Sequence, residues 1–60
     1  EKEHGDILEY VTVGERGPAH MKVFTVEARL NGNVIGTGNG RSKRAAEQNA
    51  AREALALFGL

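Results

Sequence analysis

Seven residues and the dipeptide that follows them constrain this chain more than anything else in it. Phe24, Val26, Ala28 and Leu30 alternate with Thr25, Glu27 and Arg29. A period of two sends successive side chains to opposite faces, so the run reads as a strand with one buried face and one wet face. Asn31-Gly32 follows at once. That pair suits a type I′ turn, in which both central residues need positive φ. The chain must therefore fold back on itself, and Asn33-Val34-Ile35-Gly36-Thr37 returns as the next strand. A shorter β-rich run, Tyr10-Val11-Thr12-Val13, supplies a first strand. Between them, Gly14 through His20 holds two glycines and the only proline, and is expected to be loop.

The second half of the chain changes period. From Ser42 onward, Ala, Glu, Gln, Leu and Arg fill almost every position as far as Leu55, and these are strong helix formers. Ser42 is a good N-cap, since its hydroxyl can accept from a backbone N–H left unpaired in the first turn. Ala46, Ala50 and Ala54, then Leu57 or Phe58, recur at helical spacing as one apolar stripe. Methyl groups make most of that stripe, so the helix can lie close on a sheet. The expected fold is α+β: a three-stranded antiparallel sheet with a C-terminal helix packed on one face, in the order β-β-β-α. Phe24, Val26 and Leu30 are expected core, whereas Gln48 and Glu53 are expected on a solvated helix face.

The glycines at 36, 38 and 40 do not make a dinucleotide loop. Their spacing is G-x-G-x-G rather than G-x-G-x-x-G, the preceding strand belongs to a hairpin, and no strand follows the helix. They are expected to end the third strand and turn the chain into the helix. They would also leave room for a partner's backbone near Lys43.

Sixty residues make one small domain at most, because a chain this short buries only about 60% of its unfolded surface. No cysteine is present to reinforce it, and with only His4 and His20 as imidazoles a zinc site is not expected. No run approaches about 18 consecutive apolar residues, and no signal-peptide pattern stands at the N-terminus. Cysteine-free composition is compatible with a cytoplasmic location, which is the expectation. The overall charge of zero conceals an asymmetry. Residues 1–15 set Lys2 against Glu1, Glu3, Asp6, Glu9 and Glu15, a net −4, and residues 16–60 carry +4. Basic residues concentrated in the body of a neutral chain are compatible with an anionic partner.

Lys43 and Arg44 sharpen that reading. Both sit in the first turn of the helix, where the macrodipole disfavours cations by a few tenths of a kcal/mol each unless an anion docks there. Free N–H groups with two basic side chains form a phosphate site; two solvated charges on a frayed helix end are the bland alternative. His20, taken alone, reads first as a turn cap. The four acids before Tyr10 do not amount to a catalytic centre, since metal-assisted phosphodiester cleavage needs carboxylates converging from rigid elements. No catalytic residue, cofactor or metal is assigned, and the chain is expected not to be an enzyme by itself.

Taken together, these segments resemble a double-stranded RNA-binding domain. The resemblance is carried by Tyr10, Gly17-Pro18-x-His20 and Phe24-x-Val26-x-Ala28. It continues through Gly36-x-Gly38-x-Gly40-x-Ser42-Lys43-Arg44-x-Ala46-Glu47-Gln48 and Ala50-Ala51-x-x-Ala54-Leu55. It covers residues 9–58 in one register. Within the family the chain is most similar to the C-terminal domain of bacterial ribonuclease III, and no segment resembles that enzyme's catalytic helix motif.

The resemblance implies binding by shape. An A-form duplex offers a shallow minor groove lined with 2′-hydroxyls, and such a domain spans roughly 16 base pairs, touching two minor grooves and the phosphates between them. Gly17, Pro18, Ala19 and His20 would enter one minor groove, while Arg41, Ser42, Lys43 and Arg44 would hold phosphates. Two departures stand out. Glu47 replaces a cation frequent elsewhere in the family, and the family's helix before the first strand has no counterpart in residues 1–8. Those residues read as a tail or a remnant of that helix, with the domain at 9–60; one of three RNA contacts would then be absent and binding weak. The alternative is a protein-interaction or dimerisation module of the same fold, paired through the parent protein or through an exposed apolar face.

Overall fold

A computed structural model describes residues 5–57, so His4 and Phe58 lie outside the described residues. The order is β1 (Leu8–Arg16), a 3₁₀ turn at Ala19–Met21, β2 (Val23–Leu30), β3 (Asn33–Gly40) and α1 (Lys43–Leu57). The strands form one antiparallel sheet in the order β1-β2-β3, as the alternation and the Asn-Gly pair require. Asn31 and Gly32 take φ of 53° and 86°, the double left-handed conformation of the expected turn, with Leu30 paired to Asn33. The tip also ties down the chain before β1. Asn31 N–H donates to the Ile7 carbonyl, and Ile7 N–H donates to Asn31 Oδ1.

Two bulges set what faces the helix. In β1 the extra residue is Val13, between Thr12 paired to Val26 and Gly14 paired to Thr25. This bulge absorbs the glycine, and the strand continues to Arg16 instead of breaking at Gly14 as expected. In β3 the extra residue is Ile35, between Val34 paired to Arg29 and Gly36 paired to Ala28.

The second bulge corrects the reading of the glycines. Gly36, Gly38 and Gly40 lie inside β3 and pair with Ala28, Val26 and Phe24, on the buried face. A Cβ on Gly36 would stand 2.5 Å from the Ala50 carbonyl oxygen, and one on Gly40 would stand 2.6 Å from the Ala46 nitrogen. The backbone that needs this room is the chain's own helix. Bare strand thus meets the methyl stripe of α1, and Ala46 and Ala50 are fully buried with Ala54 nearly so. Val26 is the largest fully buried side chain; Phe24 and Ile35 pack on the same cluster partly buried. Leu30, expected in the core, is only partly covered. The stripe does not continue to Leu57, which is 64% exposed.

Ser42 caps α1 as expected: its Oγ accepts from Ala45 N–H at 3.1 Å. Glu53 is exposed on the helix surface, as expected, and makes one further contact. Its side chain reaches back to the sheet, where Oε1 accepts from the Thr37 N–H at 2.6 Å. Among the described residues no helix is long and apolar enough to cross a membrane.

Candidate nucleic-acid interface

The antiparallel register puts both sequence motifs at one end of the sheet. Arg16 pairs with Val23 where β1 passes into β2, and Phe24 pairs with Gly40 where β3 passes toward α1. The loop holding Gly17, Pro18, Ala19 and His20 and the segment holding Arg41, Ser42, Lys43 and Arg44 therefore project from the same end. All eight residues are exposed.

The loop is built on its glycine. Gly17 takes φ of +94°, and a Cβ there would stand 2.6 Å from the Met21 carbonyl oxygen. Both the backbone angle and the space exclude a side chain. Pro18, at φ −68°, precedes the 3₁₀ turn, which closes through Met21 N–H donating to the Pro18 carbonyl at 2.9 Å. His20 occupies the middle of that turn with its ring toward solvent rather than within a core. Lys22 anchors the return into β2 through an ion pair with Glu15 at 3.3 Å. At this exposure such a pair contributes at most about 1 kcal/mol.

At the helix start, no carboxylate among the described residues forms an ion pair with Arg41, Lys43 or Arg44. Glu47 is one turn along from Lys43, yet the two make no contact of that kind. A cation placed N-terminal to its acid at this spacing is the weaker orientation. Instead, Lys43 Nζ stands over the Phe24 ring, 6.0 Å from its centroid. Sequence reasoning assigned Phe24 to the core alone. The signal was present in principle, because the hairpin register counts Phe24 to within one residue of Gly40.

Cations without a carboxylate partner among the described residues, a helix start and a glycine-built loop thus share one end of the sheet, an arrangement of the kind that suits a polyanion. The model for the double-stranded RNA binding motif matches residues 2–57. This chain belongs to the double-stranded RNA binding motif family. The chain is also similar to proteins named Ribonuclease 3. With that of Bacillus licheniformis it shares 56% identity over 50 residues, 83% of this chain and 20% of the relative. With that of Pseudothermotoga lettingae it shares 57% over 47 residues, 78% of this chain and 20% of the relative. The match to the Carboxydothermus hydrogenoformans protein reaches 97% of this chain at 46% identity, and 25% of the relative. The chain thus spans about a fifth to a quarter of the length of these curated relatives.

Proposed function

We propose that this chain grips double-stranded RNA by shape, as the non-catalytic module of a ribonuclease III-like endoribonuclease. The observation that carries the reading is the placement of an exposed Gly17–His20 loop and exposed Arg41, Lys43 and Arg44, which have no carboxylate partner among the described residues, at one end of the sheet. In this reading the loop enters a minor groove, where the His20 imidazole and loop backbone meet 2′-hydroxyls. Arg41, Lys43 and Arg44 hold phosphates across the adjacent major groove, aided by the helix N–H groups that Ser42 leaves free. Base edges are not read, so sequence preference is slight.

A titration against an RNA duplex of about 20 base pairs, long enough for the roughly 16 that such a domain spans, tests this at two salt concentrations, with the matching DNA duplex as control. RNA is expected to bind better than DNA, and binding falls as salt rises. Changing Lys43 and Arg44 together to Ala weakens binding to all RNA duplexes alike and flattens the slope of log K against log salt by about 2. An unchanged affinity and slope in that double variant would remove the phosphate clamp.

A second reading, a protein-contact or self-association surface, rests on a separate feature. On the helix-bearing face lies a groove of about 250 Å³ lined by Leu8, Tyr10, Leu30, Ile35, Ala54 and Leu55. Leu8 and Leu55 are half exposed there, which leaves apolar surface open to a partner.

A further inference from the structure

We propose that Phe24 is a positioning residue for the phosphate clamp, its ring holding the Lys43 ammonium in place without neutralising it; the inference rests on the RNA-binding reading above. The contact itself is the first observation: Lys43 Nζ lies 6.0 Å from the ring centroid, at the outer range of a cation–π contact.

The second observation is why the ring is available. Phe24 pairs with Gly40 across the sheet, and Gly40 has no side chain to cover it. The first turn of α1 rests directly on that bare strand, since a Cβ on Gly40 would also stand 2.8 Å from Ala45 Cβ. Lys43 therefore begins its helix within reach of the Phe24 face.

The third observation concerns the charges around it. Glu15 is the β1 partner of Phe24 and the nearest carboxylate in the register, but Lys22 engages it at 3.3 Å. Glu47 makes no ion pair with Lys43 among the described residues. A carboxylate partner would order the lysine and cancel its charge. An aromatic face attracts the ammonium through its quadrupole and leaves the full positive charge for a phosphate. At N1 of a helix, where the macrodipole pushes a cation outward, this attraction selects among the lysine's many rotamers before RNA arrives.

A double-mutant cycle on the full chain tests the inference. Phe24→Leu is expected to weaken RNA-duplex binding about two- to fivefold when Lys43 is present, the range for an exposed cation–π contact, and not at all in the Lys43→Ala background. Phe24→Tyr should retain full affinity. In NMR spectra of the unmodified chain, the Lys43 ε-methylene protons should be shifted upfield by the ring, and Phe24→Leu should abolish that shift. Equal loss of affinity from Phe24→Leu in both Lys43 backgrounds would overturn the proposal, reducing Phe24 to a packing residue. Should Phe24→Leu fail to fold, the unmodified spectrum decides: Lys43 methylene protons at ordinary shifts overturn it. If Lys43→Ala alone binds RNA as tightly as the unmodified chain, the clamp fails instead, a result distinct from absent coupling.

Discussion

Three glycines do more for this fold than most of its larger residues. Gly36, Gly38 and Gly40 present bare backbone to α1, and each hypothetical Cβ would penetrate helix backbone that has nowhere to move. A flexible neighbour can yield to a new methyl group, but a helix main chain packed on a sheet can do so only by lifting away. Gly38→Ala is therefore expected to destabilise the chain by about 3 kcal/mol or to unfold it, which chemical denaturation will measure. Gly14→Ala is the control. A Cβ there meets Thr25 only at ordinary van der Waals distance, so its effect stays within about 1 kcal/mol. Equal losses from the two would show that close helix approach is not what these glycines serve. Gly17 differs in kind, because its positive φ, and the Met21 carbonyl standing where a Cβ would go, shape the loop proposed to enter the minor groove.

At the scale of elements, α1 both covers the sheet and closes its edge. β3 is an edge strand, and outward N–H and C=O groups on an edge invite pairing with another chain. Glu53 Oε1 takes the Thr37 N–H, and Asn49 Nδ2 donates to the Asn39 carbonyl at 2.6 Å. Asn39 is engaged again on its side chain, which accepts from Thr25 Oγ1 at 2.7 Å across the open face. Two helix side chains thus occupy edge groups that would otherwise face water or a neighbour. Glu53→Ala should leave the fold intact and speed hydrogen exchange at the Thr37 amide about two- to tenfold, in line with one net hydrogen bond. Unchanged exchange at Thr37 would show that the carboxylate does not protect the edge.

The whole molecule is a thin two-layer structure with a core made largely of methyl groups. Val26 and Ala28 meet Ala46, Ala50 and Ala54, while Phe24 and Ile35 close the sides. Such a core holds little apolar area, so close contact between helix and sheet has to provide what bulk does not. The two ends of the molecule are also unlike. One carries exposed cations and the loop, and the other carries the apolar groove flanked by Leu8 and Leu55. If the groove serves self-association, sedimentation without RNA should show the mean mass rising with protein concentration. Leu55→Glu should abolish that rise while leaving RNA affinity in place. A chain that stays monomeric at high concentration would remove this reading and leave the RNA surface untouched.

The sequence by itself determined the element types and their order. Alternation from Phe24 to Leu30 made a two-faced strand, Asn31-Gly32 made a tight hairpin, and alanine at helical spacing behind Ser42 made a capped helix. Those features act over a few residues, so local conformational preference and side-chain period suffice to specify them. The candidate interface was legible for the same reason, since its residues lie in two short segments. What the tertiary structure decided is the register of β3. An unbroken ladder from the Leu30–Asn33 pair would set Gly36, Gly38 and Gly40 on the open face, opposite Glu27, Thr25 and Val23. The bulge at Ile35 shifts every later residue by one, and a shift of one exchanges the two faces. Nothing local marks that bulge in the sequence. It is favoured because the helix can approach the sheet only over backbone without side chains, while Ile35 still packs, partly buried, against the core. The same shift carries Gly40 opposite Phe24 and bares the ring over which Lys43 stands. Contact between residues 24 and 43 depends on both the bulge and the docked helix, and only the folded chain brings them together.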